Sequence, residues 1–94
     1  MVARRRVNAV LSGAIKLTVH FYLKTPKGFK NADKQLAEHG AIRPTKTPDI
    51  DNLMKAIQDA LNGVAYVDDK QIVEEHSYKW YSEKPRVEIE LEEF

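Results

Sequence analysis

Thr47-Pro48-Asp49-Ile50-Asp51-Asn52-Leu53-Met54-Lys55 sets two carboxylates, an amide and a lysine close together at the start of a helical pattern. A second acidic pair, Asp68-Asp69, follows beyond the end of that pattern. Carboxylate oxygens suit Mg²⁺, which takes one or two of them and fills its shell with water and substrate phosphate. Two such ions about 3.5–4 Å apart activate an attacking water and stabilise a leaving oxygen. A lysine beside them offsets charge developing on the phosphate. With a depressed pKa it also orients or deprotonates water. Together these residue types suit metal-assisted cleavage of a phosphodiester.

Geometry constrains Asp49 and Asp51. On a regular helix, residues two apart point about 200° apart, whereas in extended backbone they point the same way. One ion shared by both therefore asks for an extended Asp49-Ile50-Asp51, with the helix beginning near Asp51 as its N-cap. Lys55 then lies about one turn after Asp51 on the same side. The helix N-terminus itself favours phosphate. Each residue also has an ordinary use. Asp49 and Asp51 can cap the helix, and Asp68-Asp69 can form a β-turn. Lys55 can pair with Asp51 or Asp59 at i,i+4 spacing. Spacing alone favours these ordinary uses.

The elements that position the set are legible. Ile15, Leu17, Val19, Phe21 and Leu23 alternate with polar neighbours, which predicts a half-buried strand. Val7–Leu11 reads as a weaker strand, and Ser12-Gly13 as a turn joining the two in a hairpin over 4–23. Asn31 caps a short helix through His39, ended by Gly40. Residues 41–48 carry Pro44 and Pro48 and connect irregularly. Ile50, Leu53, Met54, Ile57, Ala60 and Leu61 share one face of a second helix, with Asp51, Lys55, Gln58 and Asp59 opposite. Asn62-Gly63 ends it. Val64–Val67 is a short strand and Ile72–Trp80 a longer one. After a turn at 82–85, residues 86–92 alternate with Val87, Ile89 and Leu91 inward. The order β-β-α-α-β-β-β predicts a single α+β domain over 1–94, two helices on a mixed or antiparallel sheet.

Composition narrows the function. The absence of cysteine excludes disulfides, zinc-thiolate sites and cysteine nucleophiles, and fits a reducing cytoplasm. No stretch is apolar for long enough to span a membrane. The basic start lacks the apolar run of a signal peptide. The net charge of +1 conceals a division. Residues 1–48 hold ten basic and two acidic side chains, and residues 49–94 five basic and twelve acidic. Such asymmetry suits a polyanion-binding surface, unless the fold interleaves the halves.

Pro48-Asp49-Ile50-Asp51-Asn52-Leu53-Met54-Lys55, then Asp59-Ala60-Leu61-Asn62-Gly63, then Asp68-Asp69-Lys70-Gln71-Ile72, closely resembles the signature of the RusA family of Holliday-junction resolvases. The likeness is densest from Lys46 to Ile72, and the flanking elements also fit. It implies a small homodimeric, often prophage-borne endodeoxyribonuclease that uses Mg²⁺, with Mn²⁺ as a substitute, to nick opposed strands of four-way DNA junctions. It also implies Asp49, Asp51 and Asp69 as metal-binding and catalytic carboxylates, Asp68 as their acidic neighbour and Lys55 as the essential lysine. The chain departs from the family where Arg4-Arg5-Arg6 stands almost directly after Met1, in place of a Pro/Gly-rich basic segment.

Other residues complete the expectation. Arg5, Arg6, Lys27, Lys30, Arg43 and Lys46 are candidate DNA-phosphate contacts, Lys46 foremost because it lies three residues before Asp49. Tyr78, Trp80 and Tyr81 suit base stacking, but in a small domain suit the core or a dimer interface better. His20, His39 and His76 show no ligand spacing. Glu88, Glu90, Glu92 and Glu93 read as a solvated strand face. The rival readings are a DNA-binding module with an inactive site, a Mg²⁺ nuclease for another branched DNA or for RNA, and a protein-interaction domain with merely capped helices.

Overall fold

Alternating burial identifies the central strand. Ile15, Leu17, Val19 and Phe21 are at most 2% exposed, and the residues between them are half-buried on the opposite face. The structure, a computed structural model, describes residues 2–3 and 10–94. Its elements are β1 (Val2–Ala3), β2 (Ile15–Lys24), α1 (Asn31–Glu38), α2 (Ile50–Leu61), β3 (Ile72–Ser82) and β4 (Arg86–Glu93), with a 3-10 turn at Asp69–Gln71 before β3. The sheet order is β1-β4-β2-β3. β2 runs antiparallel to β4 but parallel to β3, and β1 runs parallel to β4. A parallel pair needs a crossover, and the two helices between β2 and β3 supply it. The fold is α+β with a mixed sheet, as the sequence predicts.

The core lies between α2 and one sheet face. Met54, Ile57 and Leu61 recur at helical spacing and pack with Ile15, Leu17, Val19, Phe21, Ile89, Ala65 and Tyr66. Ile50 and Leu53 flank this core half-buried, whereas Ala60 is exposed.

Several local expectations shift. Both edges of β2 are filled, by β3 and β4, so Leu11, at the described end of the expected first strand, does not pair with it. Leu11 instead bridges Tyr66. Residues 4–9, and with them Arg4, Arg5, Arg6 and most of that expected strand, lie outside the described residues. Val64–Val67 narrows to β-bridges at Tyr66, because the chain turns tightly after α2, with the Val64 and Ala65 N–H groups both donating to the Leu61 carbonyl. Lys30, not Asn31, occupies the N-cap position of α1, without a side-chain bond. Gly40 does leave that helix at φ +81°.

The charged halves of the sequence partly interleave. Lys16 pairs with Glu92 at 3.2 Å and Lys24 with Glu83 at 2.9 Å, both across the division. Such exposed pairs contribute little to stability. Among the described basic residues expected at DNA, Lys27, Lys30, Arg43 and Lys46 make no ion pair.

Candidate active site

The start of α2 falls two residues earlier than the sequence suggests. Asp49 is the N-cap residue, in extended backbone at φ −73° and ψ 147°, and Asp51 lies in the first helical turn. The extended Asp49-Ile50-Asp51 that would aim both carboxylates one way is therefore not formed. Ile50 is half-buried against the core, and entering the helix there is how it packs. The Asp49 carbonyl accepts the Leu53 N–H at 3.1 Å, but its carboxylate makes no capping bond. Asp49 and Asp51 are both exposed. Lys55 is exposed too and forms no ion pair with Asp51 or Asp59 among the described residues. The ordinary uses of capping and i,i+4 pairing are thus not realised at these three residues. The first N–H groups of a helix lack intrahelical acceptors and favour an anion nearby.

Asp68 does take its ordinary use. It N-caps the 3-10 turn, its Oδ1 accepting the Lys70 N–H at 2.9 Å. Gln71 completes the reciprocal box, its Oε1 accepting the Asp68 N–H at 2.8 Å. The Gln71 Nε2 donates to the Leu11 and Gly13 carbonyls, both at 3.0 Å, and so ties this turn to the segment before β2. The Asp-x-x-Gln spacing at Asp68–Gln71 is a legible signal for that box.

Asp69 is held from the core. The Tyr66 hydroxyl donates to Asp69 Oδ1 at 2.9 Å and lies 3.3 Å from the Gln58 carbonyl. Tyr66 is fully buried. Burial raises its phenol pKa far above the ordinary value, and the hydrogen bond to Asp69 and the charges of Asp69, Asp59 and Glu75 add to the rise. A neutral phenol thus donates to Asp69 over the whole working pH range. The Gln58 Nε2 in turn donates to Glu75 on β3 at 2.9 Å. In sequence Tyr66 reads as one more core aromatic; only its place three residues before Asp69 hints at a link.

These contacts divide the candidate residues. Asp49 and Asp51 stand at the first turn of α2, and Asp69 stands beside Gln58 in its second half. At 1.5 Å rise per residue, Asp51 and Gln58 are about 10 Å apart along the axis. Among the described residues no three acidic or histidine side chains come together closely enough to hold a metal ion. The donors have the right chemistry for a hard cation, but their arrangement within one chain does not make a cage.

The loop ahead of Asp49 carries two of the expected DNA contacts and is fastened to β3. Arg43 Nε donates to the Lys79 carbonyl at 2.7 Å, and Lys79 Nζ donates to the Lys46 carbonyl at 2.7 Å. The Lys46 side chain is exposed, as are Lys27 and Lys30 in the loop between β2 and α1. Phe29 of that loop packs edge-on against Tyr81 at 5.5 Å. Both basic loops therefore meet the C-terminal end of β3. Tyr78 and Trp80 are half-buried on the sheet face away from α2, in register with His20 and Tyr22, rather than in the core. On the same face Glu88 pairs with Arg86 at 2.8 Å, so the expected acidic strand face is only partly solvated. Glu93 accepts the Ser12 and Gly13 N–H groups. No helix among the described residues is long and apolar enough to cross a membrane.

Residues 1–92 match the family model described as Endodeoxyribonuclease RusA. The chain is 39% identical over 95 residues to the uncharacterized protein YqaN of Bacillus subtilis (strain 168), an alignment that covers 99% of this chain and 67% of that protein. It is 48% identical over 50 residues to the crossover junction endodeoxyribonuclease rusA of Lactococcus phage r1t, across 52% of this chain and 38% of the phage protein. The chain thus spans about two thirds of the first relative and well under half of the second. No solved structure matches it. The match over nearly the whole chain, together with the Asp-x-Asp helix and the acidic turn, places this protein in the RusA family, a family of endodeoxyribonucleases.

Proposed function

We propose that this chain is a Mg²⁺-dependent endodeoxyribonuclease that acts as a homodimer on four-way DNA junctions and nicks opposed strands. One observation carries the reading. Asp49, Asp51 and Lys55 stand exposed on one helix start, free of the capping and pairing that would otherwise explain them. The phage relative's name, a crossover junction endodeoxyribonuclease, supports the substrate. Symmetric nicking of a symmetric junction asks for two sites related by a two-fold axis, which a homodimer supplies.

In this reading Asp49, Asp51 and Asp69 supply carboxylates to Mg²⁺, or to Mn²⁺ in its place. A bound ion would supply polarisation of the scissile phosphate and activation of water. Among the described residues these carboxylates do not converge within one chain. The residues of the chain have definable roles. Lys55 brings an unpaired ammonium one turn after Asp51, where it offsets charge on the phosphate. Tyr66 orients Asp69 through its hydroxyl. Lys27, Lys30, Arg43 and Lys46 contact backbone phosphates. Arg5 and Arg6 are assigned the same role. The cytoplasm is the proposed site of action.

The test compares nicking of four-way, flap, linear duplex and single-stranded DNA, and of RNA, by the full chain. Paired nicks are expected in the four-way junction, lost with a chelator and restored by Mg²⁺ or Mn²⁺. Equal cleavage of linear duplex and junction would refute junction selectivity. Binding without any nicking would favour the inactive-module reading.

A further inference from the structure

The chain's only tryptophan is mounted from several sides at once. Trp80 Nε1 donates to His20 Nδ1 at 2.9 Å. Tyr78 and Tyr22 stack beside the indole at 5.9 and 6.4 Å. Gly40, at φ +81°, lies so close that a Cβ there would stand 2.8 Å from Trp80 Cζ3. Over the ring sits the guanidinium of Arg43, 3.7 Å from the centroid.

The two arginines at this face differ in what their charge has left to do. Arg86 also lies over an aromatic ring, Tyr22, at 3.8 Å. Its Nε and Nη1 are committed, however, to Glu88, to Ser82 Oγ and to the Lys84 carbonyl. Arg43 uses only Nε, on the Lys79 carbonyl, and has no acidic partner among the described residues. Its Nη groups make no hydrogen bond there. A guanidinium held by stacking and one hydrogen bond, with its remaining fork unpaired, is preorganised for a bidentate oxyanion. It stands on the exposed loop six residues before Asp49.

We propose that Trp80 is a positioning residue that presents Arg43 as a preorganised contact to a DNA phosphate ahead of the acidic helix. The inference rests on the nuclease reading for the identity of the polyanion. A phosphate, rather than a base, is the partner because the indole face is already taken by the guanidinium. The mount fixes where the fork stands, so the junction backbone does not have to order it on binding.

The experiment is a double-mutant cycle on binding of a four-way junction by the full chain, repeated over a range of salt. Arg43→Ala is expected to weaken binding and lower the salt slope by about one. Trp80→Leu, which keeps the Arg43 charge, is expected to weaken binding about threefold, in the range of an exposed cation–π contact. In the Arg43→Ala background Trp80→Leu is expected to add nothing, and Trp80→Phe alone to restore most of the loss. Thermal melts show whether Trp80→Leu folds. Should it not, Arg43→Lys decides, because lysine keeps the charge but loses the fork and is expected to bind more weakly than wild type. Trp80 fluorescence gives an independent readout: junction DNA should change it in the wild type and much less in Arg43→Ala. Equal costs of Trp80→Leu in both backgrounds, Arg43→Lys binding like wild type, or an unchanged affinity in Arg43→Ala would each overturn the proposal while junction nicking persists. A chain that neither binds nor nicks junctions overturns the nuclease reading, and this inference with it.

Discussion

Tyr66→Phe isolates the contact that fixes Asp69. The phenylalanine fills the same space, so no cavity opens, and the change removes one buried hydroxyl. That hydroxyl donates to Asp69 at 2.9 Å and is shielded from water. A hydrogen bond to a charged group contributes about 1.5–3 kcal/mol net. Phenylalanine recovers part of this by burying no polar atom, so the expected loss at pH 7 is about 1–2 kcal/mol. In a domain of this size each kcal/mol lowers the melting temperature by roughly 4–8 °C. The pH dependence gives the sharper test. The native pKa of Tyr66 lies above its ordinary value, so the unfolded chain releases the proton first. The stabilisation is complete below about pH 10, the unfolded value, and fades as pH rises towards the native one. At pH 11 the gap between wild type and Tyr66→Phe should be narrower by about 1.4 kcal/mol than at pH 7. Urea midpoints from pH 7 to 11 measure both effects. Equal stability at pH 7, or a gap that does not change with pH, would show that Tyr66 does not hold Asp69 as described.

Two further outcomes follow from the same geometry. Gly40→Ala places a Cβ against Trp80 in left-handed backbone and should cost about 2–3 kcal/mol, whereas Gly63→Ala, also at positive φ but in open space, should cost about 1 kcal/mol; thermal melts compare the pair. Lys55→Ala should leave stability within about 0.5 kcal/mol of wild type, because the side chain is exposed and unpaired. Its nicking rate at saturating junction should nevertheless fall by orders of magnitude, and recovery in Lys55→Arg would assign an electrostatic role, since arginine keeps the charge but does not give up its proton.

Local periodicity carried most of the fold into view. The alternation of Ile15 to Leu23 and of Val87 to Leu91, and the 3.6-residue spacing from Ile50 to Leu61, each survive in β2, β4 and α2. What depends on distant partners was not legible. Parallel pairing of β2 with β3 is a matter of topology, which the alternation within either strand does not display. The helix start moved from Asp51 to Asp49 because half-buried Ile50 packs on the core from within the first turn, and the spacing of two aspartates does not say which of them stands at the cap. The site was legible as residue types rather than as an arrangement. Where Asp69 stands is set by a tyrosine that looks like core and by Gln58, reached across the tight turn after α2. The stack around Trp80 depends on strand register, which one sequence does not display.

Single-turnover nicking of a four-way junction by Asp49→Asn, Asp51→Asn and Asp69→Asn, with affinity measured on the same DNA, shows whether these carboxylates carry the chemistry. Each change removes one negative charge and nearly preserves shape, and Asp49 and Asp51 are exposed. All three variants should bind the junction at least as well as wild type and lose nicking by a hundredfold or more, about 2.7 kcal/mol or more in barrier. Nicking within about tenfold of wild type in all three, a cost below roughly 1.4 kcal/mol, would contradict it.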